Sequence, residues 1–370
     1  MIGIAVAADG ADWENEALDE LERSQALTLA RRCVDAADLL AICATGRARV
    51  ALVDPGLAGL DLDVAERLRA AGARLVTVGE PTPWLGATAA MLGALDALAV
   101  VGEPAVVGSP TSGAPVVAVW GPVGAPGRTS VAVGLAASLA RRRRVALVDA
   151  DTRGGAVAQA LGILDDVSGV MAACRDVNAG RPIGDPAVLA VHDRLAVVTG
   201  IPRPEDMWHH LRPAALTAVL DELSSSFDVV VTDAGSGCEP PLGAGPGRDQ
   251  ATTAVLSRAD ETVVVGRAEP LGLARLLRCL DAGATSTAPR IVINYCRASL
   301  GWSEHEVNRT IRQVTGLEAA EFLPLDQQAH DLAAVRGAAV RDVAPASPWA
   351  TRLDRFADSL AEDLLPTLVG

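Results

Sequence analysis

The sequence predicts an α/β protein in two parts: a smaller N-terminal α/β domain, then a doubly wound, mostly parallel sheet. Three observations predict it. The stretch Val116–Asp151, VVAVWGPVGAPGRTSVAVGLAASLARRRRVALVDAD, reads as a buried strand, a Gly/Pro loop, a helix and a second buried strand. Upstream of it, apolar runs alternate with amphipathic ones at the pace of a small parallel sheet. The chain is 50% hydrophobic but only 3% aromatic, so its cores are built from Ala, Val and Leu, which suits strands covered on both faces by Ala-rich helices. At 370 residues it is long enough for two separate cores.

In the N-terminal part, Ile2–Ala8 reads as a strand, Trp13–Arg23 as a helix and Arg49–Asp54 as a strand ending in an acid. Asp61–Ala71 follows as a helix and Arg74–Gly79 as a strand, which gives a first domain over residues 1–102. Residues 103–115, EPAVVGSPTSGAP, are rich in Pro, Gly and Ser without periodicity and form the predicted linker. Residues 116–370 make the second domain.

The loop after the Val116 strand has the chemistry of a phosphate cradle. Glycines let backbone N–H groups approach phosphate oxygens, and the following helix aims its N-terminal dipole at the anion. Gly121, Gly124 and Gly127 supply the glycines, and Thr129 stands where a hydroxyl would coordinate magnesium. Against GxxxxGK[ST], Pro122 occupies the place of the first glycine and Arg128 replaces the lysine. A planar guanidinium does not fill the space of a point-charge ammonium, so phosphate binding is favoured over efficient transfer.

Other elements fall in order behind the loop. Asp149 and Asp151 end one strand; Phe227–Gly237, FDVVVTDAGSG, is an apolar strand ending in Asp233, the pattern of a Walker B strand whose aspartate sits behind a metal. Arg290–Tyr295 is a strand ending at Asn294, and Phe322–Asp326, FLPLD, is a last short strand.

This succession resembles the MinD/ParA group of deviant P-loop ATPases. Within that group it is most similar to the CpaE/TadZ branch, the actinobacterial septum-site-determining, CpaE-like proteins, to which the GAVAQALG run after Asp151 and the long N-terminal extension both point. The resemblance implies ATP and Mg²⁺ as cofactors. It implies Gly121, Gly124, Gly127, Arg128, Thr129 and Ser130 around the phosphates, and Thr129 and Asp233 at the metal. Asp149 and Asp151 would touch the metal and position the attacking water, while Asn294 and Pro324 would flank the adenine. The alternative for Asp151 is to cap the turn before Gly154 and Gly155.

The resemblance also implies a nucleotide-dependent homodimer. The group carries a signature lysine where this chain has Val123, and that lysine reaches the partner's nucleotide; each site here loses that contact unless Arg153 or Arg248 replaces it. The N-terminal domain resembles a response-regulator receiver, with Asp54 in the phosphoacceptor position. Only Asp9 represents the receiver's acidic pair and the chain has no lysine, so a degenerate receiver that recognises a partner protein is expected.

Charge and the remaining segments narrow the function. A formal net charge of −14 argues against nonspecific DNA binding, and Arg141–Arg144 reads as cations opposing a helix dipole. The six cysteines form no CxxC pair or Cys/His cluster, and no signal peptide or membrane-span run is present, so a cytoplasmic protein without structural zinc is expected. In residues 200–213 the adjacent His209 and His210 point about 100° apart on a helix, which disfavours a shared metal; the resemblance implies a partner surface here. Residues 239–249 are either an ordinary surface loop or, as the resemblance implies by their position, a switch responsive to γ-phosphate. Residues 347–365 form a helix whose apolar stripe is accompanied by Asp354, Asp358, Glu362 and Asp363, so it is expected to pack on the sheet rather than anchor to anionic lipid.

The expected function is a spatial localisation factor for a Tad-type pilus or secretion apparatus, or for septum-site determination, which binds ATP and hydrolyses it weakly. The alternative is a pseudo-ATPase scaffold. Retention of Thr129, Asp149, Asp151 and Asp233 favours the first.

Overall fold

The computed structural model describes residues 1–99, 113–124, 126–164, 167–239, 247–281, 283 and 288–365. The chain divides into two compact units, residues 1–111 with 177–181, and residues 112–176 with 182–370. Most of the predicted linker, residues 103–112, lies outside the described residues.

In the first unit the strands are β1 Ile2–Ala7, β2 Leu27–Arg32, β3 Val50–Val53, β4 Arg74–Val78 and β5 Thr88–Ala90. They form one parallel sheet in the order β2-β1-β3-β4-β5, an arrangement shared by flavodoxin-like doubly wound folds. Sequence periodicity misses β2, because this edge strand leaves Thr28, Leu29, Arg31 and Arg32 exposed and shows no clean alternation. Between β4 and β5 the only helical element is the 3-10 turn Pro83–Leu85. Asp54, just past β3, accepts from Trp13 Nε1 (3.3 Å) and from the Gly56 N–H (2.8 Å).

The second unit contains β6 Val116–Trp120, β7 Val145–Ala150, β8 Leu189–His192, β9 Leu195–Val198, β10 Val229–Ala234, β11 Glu261–Arg267, β12 Arg290–Cys296 and β13 Ala319–Pro324. Their order is β13-β12-β11-β6-β10-β7-β9-β8, parallel throughout except for the antiparallel β8–β9 pair. Every residue of β6, β7 and β10 is buried, as a sheet covered on both faces requires. From central β6 the chain crosses to β7 on one side, while the connection from β10 leads to β11 on the other. That reversal opens a crevice at the carboxyl ends of the strands.

The helix Arg128–Leu139 is buried from Val131 onward and built largely of Ala, Val and Leu, because the sheet covers one side and the C-terminal helix Pro348–Leu364 the other. In that C-terminal helix Trp349, Leu353, Phe356 and Leu360 are buried, each worth about 1.5–3 kcal/mol, and Ser347 caps the first turn by accepting from the Ala350 N–H. Its acids bind arginines of the same unit: Asp358 pairs with Arg141, and Asp354 with Arg341 at 3.0 Å. The apolar face expected to pack on the domain does so, and Arg141 of the basic run is engaged in that packing. Among the described residues no helix is long and apolar enough to cross a membrane.

Candidate functional site: a phosphate loop beside three buried carboxylates

The loop between β6 and the helix Arg128–Leu139 is shaped by its glycines. Gly124 and Gly127 have φ of +122° and +86°, conformations that side chains disfavour. A Cβ at Gly121 would lie 2.3 Å from the Val265 carbonyl oxygen. Gly127 caps the helix, which places Arg128, Thr129 and Ser130 in its first turn, where unpaired N–H groups face outward.

Arg128 turns back into its own loop. Its Nη1 donates to the carbonyls of Gly121 and Pro122 (both 3.3 Å), and its Nη2 lies 3.5 Å from Asp151 Oδ2. A second arginine, Arg275, donates to the Val123 carbonyl (3.4 Å) and fills the space beside Gly124. Nothing in the sequence marks Arg275, which reaches the loop from a helix about 150 residues downstream. Val123, in the place of the expected lysine, is 66% exposed.

Asp149 and Asp233 are direct register partners at the carboxyl ends of β7 and β10. Both are buried, and burial pushes both carboxyls above the usual range, with each acid adding repulsion to the set. They differ in their partners. Asp149 Oδ1 accepts from the Asp151 N–H and Oδ2 from the Val157 N–H (both 3.1 Å), so this carboxylate braces the turn after β7. Asp151 Oδ1 accepts from the N–H groups of Arg153 (2.8 Å) and Gly154 (3.3 Å), which is the turn-capping alternative, while its Oδ2 faces Arg128. Asp233 has neither carboxylate oxygen in a full hydrogen bond. The Thr129 hydroxyl faces it and, with Arg128, opposes the upward shift.

A buried carboxylate with so few donors is costly and calls for a cation or water. Thr129 and Asp233 therefore fit Mg²⁺, which takes one or two protein oxygens and completes its octahedron with phosphate oxygens and water. Among the described residues no three His, Cys, Asp or Glu side chains converge as a metal site.

Asn294 is engaged on both sides of its carboxamide. Its Nδ2 donates to the Pro126 carbonyl (3.0 Å), and its Oδ1 accepts from Trp349 Nε1 (3.2 Å) and the Tyr295 N–H (2.9 Å). The carboxamide thus ties the end of β12 to the glycine loop. Pro324, by contrast, lines a cavity of about 240 Å³ at the carboxyl ends of β11 to β13, together with Cys296, Arg297, Trp302, Ser303 and Phe322.

Arg153 and Arg248, the candidates to replace the missing lysine, are both engaged. Arg153 Nη2 pairs with Asp249 Oδ1 at 2.6 Å; Arg248 donates to the Thr152 carbonyl (3.1 Å) and lies 5.3 Å from the Trp208 ring. The buried Asp249 also accepts from the Glu239 N–H, so the turn after β7 and the segment after β10 are clasped together. Residues 240–246 of that segment lie outside the described residues.

A ParA family ATPase from Chlorobium tepidum superposes with a TM-score of 0.54 at 19% identity, over 66% of this chain and 98% of that one. The cell-division ATPase MinD of Pyrococcus furiosus gives 0.52 at 21%, over 67% and 98%. The septum-site-determining MinD of Pyrococcus horikoshii, complexed with Mg-ADP, gives 0.52 at 19%, over 67% and 96%.

This is the fold of the MinD and ParA ATPases. The chain matches no protein-family model and no curated protein sequence. On the MinD/ParA fold, the loop at Gly121–Thr129 and the strand end at Asp233 fall at the crevice where open α/β sheets bind ligands.

Proposed function

We propose that this chain is a MinD/ParA-like protein that binds ATP with Mg²⁺ and acts as a spatial localisation factor with slow hydrolysis. One observation carries the reading: the buried Asp233 carboxylate, which among the described residues is faced only by the Thr129 hydroxyl, sits opposite the first turn of the helix behind the glycine loop. In this reading Thr129 and Asp233 hold the metal and the N–H groups of Gly127 to Ser130 hold phosphate. Arg128 leaves the Gly121 and Pro122 carbonyls to meet the anion, and the base enters the cavity beside Pro324. When bound, magnesium neutralises phosphate charge.

Slow turnover follows from the same residues. Val123 brings no charge to a neighbouring subunit, Arg153 is paired with Asp249, and Asp149 is held by backbone N–H groups. A nucleotide-dependent homodimer would therefore act chiefly as a binding switch. The first unit, whose Asp54 is engaged by Trp13 and Gly56, serves as a degenerate receiver that recognises a protein of a Tad-type pilus or secretion apparatus, or of the division septum.

Calorimetric titration with Mg-ATP tests the reading on the wild type, Arg128→Ala and Asp233→Ala. Magnesium-dependent binding lost in both variants is expected. A folded wild-type protein that binds no nucleotide overturns the switch and leaves a pseudo-ATPase scaffold.

A further inference from the structure

The phosphate loop is tied to the far end of the chain through two side chains. Trp349, fully buried at the start of the C-terminal helix, donates its indole N–H to Asn294, which donates in turn to the Pro126 carbonyl one residue before Gly127. Chemistry fixes the orientation of the carboxamide. Its NH₂ must face a carbonyl, and its oxygen must face the two donors, Trp349 Nε1 and the Tyr295 N–H.

The indole itself has little freedom. His330 packs edge-on against it, with ring centroids 4.8 Å apart. A Cβ at Gly134 would lie 2.7 Å from the ring, so the helix that follows the loop also rests on Trp349. Tyr295, the single tyrosine of the chain, holds a positive φ of 60° beside Asn294, and its ring packs near Gly127. Backbone strain of this kind persists where surrounding contacts over-determine a position.

We propose that Trp349 and Asn294 are positioning residues for nucleotide phosphates: the C-terminal helix sets the Pro126 carbonyl, and through it the aim of the N–H groups of Gly127 to Thr129. The proposal rests on the nucleotide-binding reading for its ligand, a nucleoside triphosphate. Its mechanical part stands without one. By linkage, nucleotide binding and the seating of the C-terminal helix must then affect each other equally.

Hydrogen–deuterium exchange of the full-length protein without nucleotide tests the tie directly, on the wild type, Trp349→Phe and Leu360→Ala. Trp349→Phe keeps a buried ring but removes the donor; Leu360→Ala loosens the same helix away from Asn294. Peptides across residues 121–130 are expected to exchange several-fold faster in Trp349→Phe, about the effect of one hydrogen bond, and at the wild-type rate in Leu360→Ala despite its lower melting temperature. Unchanged loop exchange in Trp349→Phe, or equal acceleration in Leu360→Ala, overturns the proposal. In calorimetry with Mg-ATP, Trp349→Phe is expected to bind about fivefold to tenfold more weakly, and wild-type affinity in that variant also overturns it. A wild type that binds no nucleotide, with the loop peptides responding as expected, refutes the nucleotide reading and supports the tie.

Discussion

The Arg128 guanidinium lies 3.5 Å from the Asp151 carboxylate and donates to two carbonyls of its own loop. The cation that would meet phosphate is thus held by the protein, and each of those contacts must be exchanged when an anion enters. Arg128→Lys shortens the reach to these carbonyls and presents a compact charge. Affinity for Mg-ATP is expected to rise by about tenfold, the equivalent of one released hydrogen bond. Weaker binding by calorimetry would mean that the planar fork itself holds the phosphate.

Asp233→Asn should stabilise the protein while abolishing magnesium-dependent binding. Burial raises the folded-state pKa of both Asp233 and Asp149, for Asp149 to about 7. The native state then keeps protons that the unfolded chain has released, so these groups make stability fall as pH climbs from about 4 through the folded pKa. Asn removes the share due to Asp233. Urea unfolding at pH 8 should show a gain on the order of 1–3 kcal/mol, shrinking toward pH 4. A variant less stable than wild type at pH 8 would contradict this.

Gly134→Ala runs against helix propensity. Alanine normally gains about 0.8–1.0 kcal/mol over glycine in a helix. Here the added Cβ would meet Leu353 Cδ2 at 2.5 Å and the Trp349 ring at 2.7 Å, and overpacking costs about 1–3 kcal/mol. A net loss of stability is expected in thermal melts, and a higher melting temperature would show that the C-terminal helix yields.

The Arg153–Asp249 pair joins an exposed arginine to a buried acid that also accepts from Glu239. A double-mutant cycle with Arg153→Met and Asp249→Asn should give a coupling of about 0.5–3 kcal/mol. Independent effects on the denaturant midpoint would remove the clasp between the two loops.

Asp54 already accepts from Trp13 and Gly56. Incubation with acetyl phosphate and Mg²⁺ is expected to leave the intact mass of the protein unchanged. A phosphoryl adduct that disappears in Asp54→Asn would restore a signalling role to the first unit.

Much of this site was legible in the residues. The glycine loop, the helix that opens at Arg128 and the strand end at Asp233 carry local signals: glycine where φ is positive, unbroken apolar runs for strands buried on both faces, and an acid where each run stops. Asn294 and Asp149 stand at strand ends as expected, but their hydrogen-bond partners were not legible. A strand-end Asn offers the same sequence signal whether it meets a base or a backbone carbonyl. The edge strand β2 escaped because its exposed arginines erase the alternation that periodicity needs.

The sequence by itself determined the order of elements, the glycine loop and the placing of Thr129 at a helix start and Asp233 at a strand end, because these depend on neighbours along the chain. Tertiary structure decided where the polar side chains find their partners. Asn294 meets Pro126 across 168 positions and Trp349 across 55, and Arg275 reaches Val123 across 152. Buried polar groups must be satisfied by whatever the packed elements bring within hydrogen-bond reach, and that proximity is set by the stacking of helices on the sheet.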